Sequence, residues 1–189
     1  MEKTKTALLV MDMQSSIVSS LSDPEQVVSN VKKVIKAAKH RQIPVIYVVI
    51  GFRQGMPEIS AHNKVFSGLQ QHMANVNMKE WMAIHPELSP EEEDVVITKR
   101  RFSAFTGSDL EVVLRGLDVR HLLLTGVSTS GVVLSTLREA ADKDYDLTVI
   151  EDCCKDGDEE VYDVLMRKVF PRQAEVIKVN DWIVQQNKN

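Results

Sequence analysis

The run Ala7-Leu8-Leu9-Val10-Met11 and the carboxylate that ends it, Asp12, decide how this chain is read. The run is apolar without alternation, which predicts a strand buried on both faces, as in a parallel sheet covered by helices. A carboxylate at the carboxyl end of such a strand is costly unless it is solvated, paired or used. In open α/β sheets, ligands bind at that end of the strands. Met13 and Gln14 follow directly.

Outward from this strand, strand-like and helix-like segments alternate. Asp23-Pro24-Glu25-Gln26 predicts an N-cap, a proline at the first helical position and a capping-box glutamine. Val27, Val31 and Ile35, with Val28 and Ala38, form the apolar stripe of the helix that follows. Ile43 to Ile50 is a second buried strand. Gly51 to Lys79 has weak periodicity and is the longest irregular stretch, of the kind that is functional or interfacial in compact domains. Val95 to Thr98 is a third strand. Ser108-Asp109-Leu110-Glu111 is a capping box opening a helix. Leu122 to Thr125 is a fourth strand, ended by Gly126, and a helix runs from about Ser130 to Lys143. Leu147 to Ile150 is a fifth strand, ending at Glu151 and Asp152. Asp158 caps a helix carrying Val161, Val164, Leu165 and Val169, and Ala174 to Val179 is the last strand. This alternation predicts one α/β domain over residues 1–189, with a mostly parallel sheet between helices.

With 189 residues and a net charge of −4, the chain offers no electrostatic case for nucleic acid or anionic membrane. No apolar run is long enough to span a bilayer. The first residues run straight into a strand, so no signal peptide is expected, and the compartment expected is the cytoplasm. Cys153 and Cys154 are adjacent and unsuited to an intramolecular disulfide. No G-x-G-x-x-G, P-loop or G-x-S-x-G is present, which argues against dinucleotide, nucleotide and α/β-hydrolase sites. No cofactor and no metal are expected.

Three segments matter together: Leu8-Leu9-Val10-Met11-Asp12-Met13-Gln14, Val96-Ile97-Thr98-Lys99-Arg100-Arg101-Phe102-Ser103-Ala104-Phe105, and Leu124-Thr125-Gly126-Val127-Ser128-Thr129-Ser130-Gly131-Val132-Val133-Leu134-Ser135-Thr136. In this order they resemble the isochorismatase-like hydrolases, also called the cysteine hydrolase superfamily. The resemblance implies a Rossmann-like three-layer α/β/α fold and assembly as a homo-oligomer. It implies that Asp12 is the general acid/base and Lys99 its polar partner. It also implies a cis peptide at Val127–Ser128, with the backbone amides of Ser128 and Val132 lining an oxyanion hole. The third segment normally carries a nucleophilic cysteine in the superfamily; that position here is Val132. Nicotinamidase metal ligands are not visible, since His62 and His72 lack the spacing.

The missing thiol removes a thioester route and leaves one that the isochorismatases proper use without cysteine. There an aspartic acid protonates a vinyl ether and water attacks the resulting cation. The function expected is hydrolysis of a small molecule, an anionic one if Arg101 acts as a carboxylate clamp. The alternative is a non-catalytic member that keeps the pocket as a ligand-binding or assembly module. Each residue also has a plainer role open to it. Asp12 would cap a turn, Lys99 and Arg101 would be solvated cations, and Gln14 would be a turn or pocket group. Val132 would be core packing. Phe102 and Phe105 would each be pocket wall or core. Cys153 and Cys154 would be buried structural thiols, and His62, His72 and His85 exposed or interfacial.

Overall fold

The computed structural model describes residues 5–73 and 76–186. Its first elements are β1 (Thr6–Met11), α1 (Ser15–Val18), α2 (Pro24–His40) and β2 (Val45–Ile50). The long stretch after β2 holds α3 (Lys64–His72) and α4 (Met78–Trp81), followed by β3 (Val95–Lys99), α5 (Leu110–Gly116) and β4 (His121–Val127). A π-helical turn (Thr129–Val133) leads into α6 (Leu134–Asp142), then β5 (Asp146–Lys155), α7 (Glu159–Val164), β6 (Glu175–Ile177) and α8 (Val179–Gln186). The six strands form one sheet in the order β3-β2-β1-β4-β5-β6, and every pairing is parallel.

That order makes β1 the strand at which the topology reverses. The crevice between β1 and β4 is the switch point at which such sheets place their ligands. Asp12 follows the last residue of β1, and Met11 pairs with Gly126 of β4.

Both faces of the sheet are covered. Leu9, Met11 and Leu124 pack on one side with Leu114, Val133 and Leu137 of the α5 and α6 regions. Leu8, Val10 and Leu123 pack on the other with Val27, Val31, Val34 and Trp182 of α2 and α8. This accounts for the continuous apolar run of β1, which is buried at every residue from Ala7 to Met11. A third cluster, with Phe52, Ile59, Phe66 and Met73, packs over the end of β2.

Several boundaries differ from the sequence expectation, for local reasons. Asp23 adopts a left-handed backbone with φ 48° and does not cap α2 through its side chain, although Pro24 does open that helix. The stretch from Gly51 to Lys79 is not wholly irregular: α3 forms, with Phe66, Leu69 and Met73 turned toward the third cluster. β4 does not stop at Gly126. That residue has φ 142°, and a Cβ on it would collide with the Met11 carbonyl oxygen. Its missing side chain is what lets β4 continue beside β1. β5 runs past Ile150 to Lys155 through a register shift, which brings Cys153 and Cys154 into the strand. Only Glu175–Ile177 form β6, and Val179 instead begins α8. The Asp158 cap is as expected, its Oδ1 accepting from Val161 N at 3.1 Å.

Candidate active site

Asp12 has φ 54°, in the left-handed region that Asp tolerates better than most residues. Its N–H donates to the Val48 carbonyl at 2.8 Å. The turn at the end of β1 is thereby tied to β2, and the carboxylate is presented at the switch point.

Lys99 ends β3 and is 1% exposed. It is therefore no solvated member of the cluster Lys99-Arg100-Arg101. Its Nζ lies 2.8 Å from Asp12 Oδ2 and donates to the Arg101 carbonyl at 2.9 Å. Residues 87 positions apart in sequence thus form a buried ion pair, with the Asp12 side chain 8% exposed. The other carboxylate oxygen, Oδ1, is buried without a hydrogen-bond partner. Burial pushes the Asp12 carboxyl up to about 6 against the pull of Lys99, and burial lowers the Lys99 ammonium against the pull of Asp12. Both shifts have one physical cause: taking two charges out of water costs more than their mutual attraction returns. The result is a carboxyl that titrates at about 6.

The turn after β4 lies alongside. The Val127–Ser128 peptide is cis. The Ser128 carbonyl accepts from Gly131 N and Val133 N, which folds the chain into the π-helical turn. Asp156 Oδ2 accepts from Ser130 N at 2.6 Å and anchors the turn to the end of β5. Val132 is buried with Met11, Val48 and Ile97. Thr129 is buried and its hydroxyl has no hydrogen-bond partner. Thr129 stands out only in three dimensions; within the third segment nothing in the residue type marked it.

The other residues singled out from the sequence separate clearly. Gln14 is fully buried. Its Oε1 accepts from Ile50 N at 2.7 Å, and its Nε2 donates to the carbonyls of Trp81 and Ile50. It braces the end of β2 against α4, and both of its amide N–H groups are occupied within the protein. The Arg101 guanidinium donates to the carbonyls of Glu58 and Arg100 and lies 5.6 Å from the centre of the Phe66 ring. It braces the loop at Glu58 against Phe66 of α3 rather than standing as a solvated cation. Phe102 is exposed, 5.1 Å from Phe66 between ring centres, and its ring edge approaches Gly131 of the turn. Phe105, by contrast, is a core residue against Tyr145 at the opposite end of the sheet, so it is not a wall of the Asp12 crevice. Burial raises the Cys154 thiol to about 12 and also raises Cys153, so neither supplies a thiolate near neutral pH.

The Asp12–Lys99 pair lies beneath the surface. A cavity of about 640 Å³ lined by Arg53, Met56, Gln70, Met73, Met78 and Lys79, among others, has neither Asp12 nor Lys99 in its lining. A buried ion pair with an unsatisfied oxygen is a stronger candidate for a site than volume alone. Among the described residues, no group of three or more His, Cys, Asp or Glu is placed to hold a metal ion. No helix among them is long and apolar enough to cross a membrane.

Comparison with known proteins agrees with the fold. A family model of the isochorismatase domain matches residues 6–181. The chain belongs to the isochorismatase family. An isochorismatase family protein of Bacillus subtilis is 30% identical over 89% of this chain and 87% of its own length. A ureidoacrylate amidohydrolase of Yersinia enterocolitica is 31% identical over 78% of this chain and 74% of its own length. Among solved structures, an isochorismatase family protein from Burkholderia thailandensis superposes with a TM-score of 0.85 at 27% identity, covering 97% of this chain and 96% of that one. N-carbamoylsarcosine amidase from Thermoplasma acidophilum gives a TM-score of 0.77 at 24% identity, covering 94% and 98% of the two chains, and attests the shared fold. The family is one of hydrolases, and this member carries its α/β fold.

Proposed function

We propose that this isochorismatase-family protein hydrolyses a small molecule with Asp12 as general acid/base and Lys99 as its partner, without a cysteine nucleophile. The observation that carries the proposal is the buried Asp12–Lys99 pair, with the free carboxylate oxygen at the topological switch point. A carboxyl titrating near 6 is protonated in roughly a tenth of molecules at pH 7 and exchanges protons in both directions.

Vinyl-ether hydrolysis suits these groups. Protonated Asp12 gives its proton to the enol-ether carbon, leaving an oxocarbenium ion and the Asp12 carboxylate. Water adds to the cation and returns one proton to Asp12. The hemiketal then breaks its C–O bond, giving a carbonyl compound and an alcohol. The Lys99 ammonium stabilises the carboxylate that forms on proton transfer. Two of the named relatives act on ureido or carbamoyl compounds. Such a bond here would need water activated by Asp12, because Val132 offers no nucleophilic atom. On that carbonyl route Ser128 and Val132 would contribute backbone amides to the tetrahedral oxyanion; on either route Phe102 forms a wall, and the protein works as a homo-oligomer in the cytoplasm.

The test is turnover of a panel of enol ethers, ureido acids and amides by the wild type and by Asp12→Asn. A loss of about 10² or more in kcat for the variant is expected; equal turnover would refute the assignment. The buried packing of Val132 favours one other reading, a ligand-binding module that has lost its nucleophile. Amidase activity that appears only in Val132→Cys would favour that reading, with the rest of the machinery retained.

A further inference from the structure

We propose that the cavity between the end of β2, the loop carrying Glu58 and the turn after β3 is an oxyanion site. Arg53 and Arg100 would hold the anion there, with Glu58 as their internal counter-ion, and the group taken is a carboxylate or a phosphate. The cavity measures about 350 Å³ and is lined by Arg53, Glu58, Arg100, Arg101, Thr106 and Gly107. Arg53 and Arg100 share one carboxylate, that of Glu58, and Arg101 adds a third guanidinium to the lining, which leaves an excess of two positive charges.

Glu58 cannot serve all of them. Its Oε1 takes Arg53 Nη1 at 2.6 Å and lies 3.3 Å from Arg100 Nε. The second contact is poorly aligned, and Arg100 Nε is buried without a hydrogen bond. A buried guanidinium N–H with no acceptor is expensive, and an oxyanion is the acceptor that matches its geometry. The stem of Arg100 is also held in place. Gly107 has φ 74°, and a Cβ there would fall 2.9 Å from Arg100 Cβ, so the glycine lets the turn lie directly on the arginine stem. Arg101 is turned to the Glu58 carbonyl and the Phe66 ring, so it braces the loop and leaves Arg53 and Arg100 to meet the anion. Lys99 Nζ is bonded to the Arg101 carbonyl, so the oxyanion site and the Asp12–Lys99 pair share one short segment.

The anion has two conceivable sources: a charged group of the substrate itself, or a free oxyanion acting as effector. The first rests on the hydrolase proposal; occupancy by an oxyanion does not. Calorimetric titration of the full chain with inorganic phosphate, sulfate and succinate tests it, at low and high salt. The proteins compared are the wild type, Arg53→Gln, Arg100→Gln, Glu58→Gln and Asp12→Asn. Saturable, salt-sensitive binding is expected. Each arginine variant should weaken it about tenfold, equivalent to about 1.4 kcal/mol. Glu58→Gln should tighten it by removing a competing carboxylate. Asp12→Asn should bind as the wild type does, so that failure of the catalytic assignment leaves this result standing. No binding of any of the three anions, or equal affinity in both arginine variants and the wild type, overturns the proposal. Once a substrate is known, phosphate that raises KM for it and not for its uncharged analogue identifies the substrate's own group as the occupant. Unchanged KM identifies a free effector.

Discussion

Replacing Lys99 by Met separates the two forces that set the Asp12 carboxyl. In the wild type, burial raises it from 3.8 to about 6 although Lys99 Nζ lies 2.8 Å away. A carboxyl raised by about two units in the folded state costs about 3 kcal/mol of stability at neutral pH, because each unit is worth about 1.4 kcal/mol. The sign follows from proton counting: between pH 4 and 6 the folded protein binds more protons than the unfolded chain. This contribution to stability is therefore fully present below the unfolded value and is lost as pH rises through about 6. An opposite charge at contact distance lowers a carboxyl by roughly 1–3 units. Lys99→Met should then move the Asp12 midpoint from about 6 to between about 7 and 9. At pH 7 the carboxyl of the variant is mostly protonated, so the added cost from Asp12 stops at about 1.4 kcal/mol, one further unit. Removal of a buried, destabilised ammonium offsets part of it. The assay is ¹³C NMR of the Asp12 carboxyl against pH, with urea denaturation at pH 5, 7 and 8.5. The wild type should be most stable at the lowest pH as far as this group is concerned, and the variant should go on losing stability above pH 7. A midpoint in Lys99→Met at or below the wild-type value refutes the reasoning, since Lys99 would then not be what holds the anion.

Two further outcomes follow from residues outside the acid pair. Gln14→Ala leaves the Ile50 N–H buried without its acceptor, while Ser16 Oγ still donates to the Trp81 carbonyl, and should cost about 1–3 kcal/mol in urea denaturation; a loss under about 0.5 kcal/mol would show that water replaces the amide at no cost. His121 bridges Thr6 and Thr148 across β1, β4 and β5, and burial lowers its ring pKa. Its contribution to stability is present above the unfolded value of about 6.5 and lost as pH falls below it, so a thermal-melt series should show His121→Asn flattening the decline between pH 6.5 and 5, and an unchanged slope would assign that decline to other groups.

The alternation of apolar runs with capped amphipathic stretches was enough to give the parallel sheet and its helical layers, because burial on two faces leaves an unbroken hydrophobic signature such as that of β1. The same logic placed Asp12 at a strand end before any contact was known. It failed where a signal is weak or shared. Local composition hid α3 inside a polar stretch, and Gly126 reads as a breaker until Met11 is seen beside it. Phe102 and Phe105 are three positions apart with one residue type, yet one faces the turn at Gly131 and the other Tyr145 at the far end of the sheet. Nothing in composition separates Lys99 from Arg100 and Arg101. The resemblance singled it out, and only the approach of β3 and β1 across β2 buries it against Asp12. The sequence by itself determined the periodicities, the layers and the identity of residue 132 as a valine. The tertiary structure decided which charges meet, which are buried and which polar atoms lack partners, because pairing and desolvation depend on distances between residues that the chain brings together only when the whole sheet has formed.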